Sequence, residues 1–209
     1  MNYSLPSSTI LNKPLYKKTV FEKFNLKTAE RERFDADISK MVLLAFVSPD
    51  RVPALAEGKE VKGFYVLQVV LKRKDFNPQN ILLLQKLIPQ KIIFALEYDS
   101  SPTGGGKEGA LCVFHTRLQQ SEWMPNEEVT LPLNGLTLDD VWKNIVATIG
   151  NLDTEAEETI EEQIIKREEH EKLLRQIEML EKRCRAEKQT RKKFELHQQI
   201  VKLKKRLEE

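Results

Sequence analysis

Between Glu155 and Glu209 the chain contains neither proline nor glycine. Nothing in the backbone chemistry therefore interrupts a helix over about 55 residues, a length of about 80 Å at 1.5 Å rise per residue. Within it Leu173, Ile177, Leu180 and Cys184 step by four, three and four, and Leu196, Ile200, Leu203 and Leu207 repeat those steps. This is the a/d spacing of a helix-to-helix seam. The two stripes are out of phase, because carrying the first register past Cys184 lands on Glu187, Arg191 and Phe194. The seam is thus broken across Ala186 to Glu195. Two arrangements fit the break: a straight helix whose stutter is absorbed in a two-molecule coiled coil, or a chain reversal that lays the second stripe antiparallel on the first.

Charge in this tail is segregated. Glu155, Glu157, Glu158, Glu161, Glu162, Glu168 and Glu169 come first, and Lys182, Arg183, Arg185, Lys188, Arg191, Lys192 and Lys193 follow. Acids early and bases late complement a helix dipole, and pairs such as Glu178 with Lys182 at i and i+4 add local support, so a solvated helix face accounts for the pattern. The other reading is a contact surface. Arg183, Arg185, Lys188, Arg191, Lys192 and Lys193 form a cationic run able to face phosphates or an acidic protein partner. The net charge of the whole chain is only +2, so any affinity for nucleic acid must come from this local patch.

Ahead of the tail, 209 residues at 40% hydrophobic content allow one real core. The expected fold class is α+β, a small mixed β-sheet with flanking helices over 1–150, then a linker over 151–154 and the helical tail over 155–209. Pro6 and Pro14 make Met1 to Pro14 read as an irregular arm. Short helices are expected over Leu15 to Leu26 and from Thr28 to about Ser39, with Thr28 as N-cap. Met41 to Val47, Val61 to Lys72 and Ile92 to Tyr98 read as buried strands, with a helix opened by Pro78 and ended by Pro89 between the last two. Ala110 to Leu118 reads as a further strand after a glycine-rich hairpin tip. Val129, Leu131 and Leu133 alternate as a short edge strand, and Thr137 caps a last helix that Gly150 stops.

Few residues carry recognisable chemistry. Asp50, after Pro49, followed by Glu60 and Lys62, spells the acid and E-x-K pattern of restriction-type nucleases, in which two acids hold a divalent metal and a lysine positions the attacking water. That fold sets the acid and the E-x-K on adjacent strands, whereas Asp50 falls in a loop and Glu60 at a strand start. Gly104, Gly105, Gly106 and Lys107 lack the first glycine and the Ser or Thr of a phosphate loop. His115 sits in no pattern that suggests a triad, and beyond His115 itself, three residues on, Cys112 has no companion at metal-ligand spacing, while Cys184 has none. No metal site and no cofactor are expected. The opening residues are not a secretory leader and no run is long enough to span a membrane, so the expectation is a soluble cytoplasmic protein.

Three segments carry a family likeness: PQKIIFALEY from Pro89 to Tyr98, LPLNGLTLDDVWKNIV from Leu131 to Val146, and EKQTRKKFEL from Glu187 to Leu196. In these the chain resembles a prokaryotic family catalogued as domain of unknown function 4391. The resemblance implies a restriction or phage-defence setting beside a DNA methyltransferase and a Swi/Snf-type helicase, and it assigns no activity to any residue. The reading that follows is a noncatalytic accessory subunit holding a protein partner through the tail, the methyltransferase or helicase being candidates and nucleic acid a second one. The alternative is a metal-dependent nuclease built on Asp50, Glu60 and Lys62.

Overall fold

The apolar runs of the first 150 residues become strands of one mixed sheet. The computed structural model describes residues 3–100, 106–154, 156 and 158–208, and divides into two units, Met1–Ala156 and Glu157–Glu209. In the first unit the elements are β1 (Ile10–Leu15), α1 (Lys17–Lys23), α2 (Thr28–Asp37), β2 (Ile38–Val47), β3 (Phe64–Leu71), α3 (Pro78–Leu87), β4 (Lys91–Asp99), β5 (Lys107–His115), β6 (Arg117–Gln120), β7 (Met124–Pro125) and α4 (Leu138–Gly150). Strands β1 to β6 lie side by side in chain order, and β7 pairs with β5. All neighbours are antiparallel except β3 and β4, which α3 joins as parallel strands.

Period-two alternation assigns the two faces. Leu67, Val69 and Leu71 of β3, Ile92, Phe94 and Leu96 of β4, and Ala110 and Cys112 of β5 pack with Val20 of α1, Phe34 of α2, and Ile81 and Leu84 of α3. The opposite face carries Phe64, Val66, Ile93, Ala95 and Leu111, all buried, and meets α4, whose Trp142 ring lies 5.7 Å from that of Phe64. Helices on both faces explain why β4 reads as the unbroken run Ile92 to Leu96. Each such side chain withdrawn from water stabilises the unit by about 1.5–3 kcal/mol before entropy is counted.

Several boundaries differ from the sequence reading, each for a tertiary reason. The expected irregular arm holds a 3-10 turn at Ser7–Thr9 and an edge strand, β1. Pro14 is tolerated because an edge strand has one row of amides without a ladder partner. Helix α2 stops at Asp37, not Ser39, and Lys27 rather than Thr28 is its N-cap, its amide donating to Glu30 Oε2 at 2.8 Å. Asp37 is itself the reason for that stop: its side chain is 1% exposed. It accepts from Arg73 Nε at 2.6 Å and from both the Asn77 amide and Asn80 Nδ2 at 2.8 Å, which ties the end of α2 to the start of α3. Strand β3 begins at Phe64, not Val61. The strand expected to reach Leu118 turns at Thr116, which takes a φ of 58°, and returns as β6. Val129 and Leu131 are buried, but Val129 to Leu133 is irregular and not the expected edge strand. Gly150 is the last residue of α4, and Asn151, at φ 50°, takes the left-handed position that ends it. The glycine-rich tip at Gly104 and Gly105 lies outside the described residues.

Candidate interaction site on a basic helical hairpin

The second unit is two helices, α5 (Ile160–Ala186) and α6 (Thr190–Glu208), joined by three residues. Thr159 caps α5: its hydroxyl accepts from the Glu162 amide at 3.2 Å while the Glu162 carboxylate accepts from the Thr159 amide at 2.8 Å. Those bonds hold the Glu162 carboxyl below the usual carboxylate range. The uninterrupted helix that the missing proline and glycine allow does not form. Glu187 turns to extended backbone, and its carboxylate accepts from the Gln189 amide at 2.9 Å in the turn.

Chain reversal follows from contacts that a straight rod forbids. Lys204 Nζ lies 2.8 Å from Glu181 Oε1, although 23 residues of straight helix would separate them by about 35 Å. Near the turn Cys184 Sγ donates to the Lys193 carbonyl at 3.6 Å. Ile177 and Ile200 are 6% and 5% exposed. Leu173, Leu180, Cys184, Leu196, Leu203 and Leu207 are half-buried, so all eight expected seam positions are withdrawn from solvent. The phase break has its physical reason here: a straight continuation would put Glu187 and Arg191 in the seam, whereas reversal restarts it at Leu196.

The turn gathers the cationic run at one end of the hairpin. Between Glu181 and Glu195 stand seven basic and three acidic side chains, a net charge of +4. Lys182 pairs with Glu178 at 2.7 Å, Arg185 with Glu181 at 3.7 Å and Arg191 with Glu195 at 3.2 Å. The i,i+4 pairing expected of a solvated helix is therefore present. It leaves Arg183, Lys188, Lys192 and Lys193 exposed and without an ion pair among the described residues. Hydrogen bonds from Lys182 and Lys204 keep the Glu178 and Glu181 carboxyls below their ordinary range. A depression of about 490 Å³ lies across the hairpin end, with Arg183 on one side and Lys192 on the other. Phe194, 61% exposed, directly follows the run, on the side of α6 away from the seam.

The family model described as domain of unknown function DUF4391 matches residues 3–207. The chain belongs to the DUF4391 family. No curated protein and no solved structure matches it. The DUF4391 match runs through both units, so the hairpin is as much a part of the family's domain as the sheet is. No helix among the described residues of this DUF4391 chain is long and apolar enough to cross a membrane.

The residues of the nuclease pattern sit on loops. Asp50 is exposed in the turn after β2, and Glu60 and Lys62 precede β3 instead of lying on it. Lys62 Nζ donates to the Gly58 carbonyl at 2.9 Å and lies 3.3 Å from Glu57. What holds their loop is Asp139 of α4, which accepts from the amides of Lys59 at 2.6 Å, Glu60 at 3.2 Å and Val61 at 2.8 Å. No hydrogen bond or ion pair joins Asp50, Glu60 and Lys62 among the described residues. Nothing in the sequence points to this role of Asp139, since its partners lie some 80 residues away.

Proposed function

We propose that this DUF4391 protein is a noncatalytic interaction subunit that docks the basic end of its helical hairpin on a polyanionic surface, within a nucleic-acid-processing or phage-defence assembly of the restriction-modification kind. One observation carries the reading: the turn between α5 and α6 concentrates a net charge of +4, and four of its cations have no ion pair among the described residues. Like charges gathered this closely repel one another unless a partner compensates them. The family likeness supplies the setting, and with it a DNA methyltransferase or helicase as the candidate protein partner.

Reversing the charge at Lys188, Arg191, Lys192 and Lys193 is the test. Binding to duplex DNA, followed by fluorescence anisotropy, is expected in the wild type with a log-log salt slope on the order of −3 to −4 for four phosphate contacts, and is expected to be lost in the variant. The melting temperature should fall by no more than a few degrees, because the four side chains are exposed. If DNA does not bind, co-purification with the methyltransferase or helicase should show the same dependence. Binding that neither salt nor the reversal alters returns the run to a solvated helix face.

A further inference from the structure

The sheet holds a second polar site, in the first unit and independent of the hairpin. Register aligns Lys40 of β2, Val70 of β3, Glu97 of β4 and Gly109 of β5 in one row. Glu97 and Gln68 lie on the face that meets α4, beyond the end of the apolar packing. A Cβ on Gly109 would stand 2.7 Å from Asn126 Oδ1 and 2.8 Å from Val129 Cγ2, so this glycine is what lets the segment around Asn126 lie down against the sheet. The result is a cleft of about 690 Å³ whose walls include Lys40, Gln68, Glu97, Lys107, Asn126 and Glu127.

Glu97 is a positioned carboxylate. Its Oε1 accepts from the Tyr3 hydroxyl at 2.8 Å, Gln68 Nε2 at 2.7 Å and Asn126 Nδ2 at 3.4 Å. Tyr3 is 2% exposed. Burial first, then the Glu97 charge and hydrogen bond, push its hydroxyl well above the usual tyrosine range, so it remains a donor at any physiological pH. Oε2 of Glu97 has no hydrogen bond among the described residues. Lys40 and Lys107 are exposed at the cleft and have no acidic partner among the described residues. Asn126 is 7% exposed with its Oδ1 unpaired. Besides Gly106 and Pro125 the lining residues carry polar or charged side chains, which gives a ligand both a carboxylate and ammonium groups to meet.

We propose that this cleft binds a phosphate ester together with a divalent cation, Glu97 holding the cation and Lys40 and Lys107 the phosphate. No group of three metal-ligating side chains occurs among the described residues, so these form no complete cage. Magnesium-type ions are held in just this partial way, by one or two carboxylates with phosphate oxygens and water completing the octahedron. Glu127, which also lines the cleft, offers a second carboxylate. Lysine ammonium groups serve phosphate as point charges, and two of them offset the ester's negative charge.

Calorimetry on the full chain with Mn²⁺ and AMP tests the assignment. Mn²⁺ alone should bind weakly, and AMP and Mn²⁺ should each tighten the other by the same factor, on the order of tenfold. Glu97→Gln keeps an oxygen for the Tyr3 and Gln68 donors and should lose Mn²⁺ binding. Lys40→Ala combined with Lys107→Ala changes only exposed side chains and should abolish the coupling to AMP. Replacing AMP with thymidylyl-thymidine separates a terminal phosphate from an internal phosphodiester, and coupling with either supports the site. Absence of coupling in the wild type overturns the proposal, as does coupling that survives the double lysine variant. Coupling lost instead on reversal of the hairpin charges would place the ligand there and overturn it equally.

Discussion

Asp139 shows how much of this structure depends on single side chains placed by the fold. It sits in the first turn of α4 and closes the loop Lys59 to Val61 through three backbone amides. A Cβ on Gly58 would collide with its carboxylate, so only glycine lets the backbone wrap so closely. The Val61 amide above all, then those of Lys59 and Glu60, draw the Asp139 carboxyl below the usual carboxylate range. A carboxyl lowered on folding stabilises the folded state above its ordinary pKa, and that contribution disappears as the pH falls through the lowered value. Asp139→Asn is therefore expected to reduce the melting temperature by a few degrees at pH 7, and the gap from wild type should close as the pH drops below about 4. Thermal scans across that range decide it; a gap independent of pH would mean that shape, not charge, holds the loop. Residues of this kind were invisible in sequence. Thr137 and Asp140 form the α4 capping box three positions apart and could be read directly, whereas Asp139, Asp37 and Glu97 act on partners distant along the chain.

At the scale of elements, the strands and helices with a strong internal period were legible, and their ends were not. The runs that became β2, β3 and β4 were visible because both faces of the sheet are covered and each strand is apolar almost throughout. The short strands β1, β6 and β7 carry no comparable pattern, and pairing with a longer neighbour defines them. In the tail the eight seam positions were readable from their spacing, while rod and hairpin were both compatible with it. Spin labels at Arg175 and Lys205 should report a separation of about 10–20 Å within one molecule, as the Glu181–Lys204 pair requires, against about 45 Å for a continuous helix. A distribution centred on the longer distance in solution would show that the hairpin opens, with each stripe then seeking a partner in a second molecule.

For the whole molecule, the division at Ala156 and Glu157 separates two hydrophobic cores of different kinds. The first is a sheet closed on both faces by helices, and the second is a single helix-to-helix seam. Residues 1–156 alone are accordingly expected to unfold in one cooperative thermal transition, because every strand of the sheet and all four of its helices lie within them. A broad, gradual transition in the truncated protein would show that the first unit's core is incomplete without the rest of the chain. By itself, the sequence determined the α+β class, the buried strands, the N-cap of α4 and the stripes of the tail, since each follows from periodicity or from a residue acting within four positions of itself. Only the tertiary structure decided that β3 and β4 lie parallel, that the tail reverses at Glu187, and that Glu97 meets Tyr3, Gln68 and Asn126 across one cleft. Those outcomes depend on contacts between residues far apart in the chain, where the free energy of burying shared surface, not local preference, selects among arrangements that the sequence pattern leaves equally open.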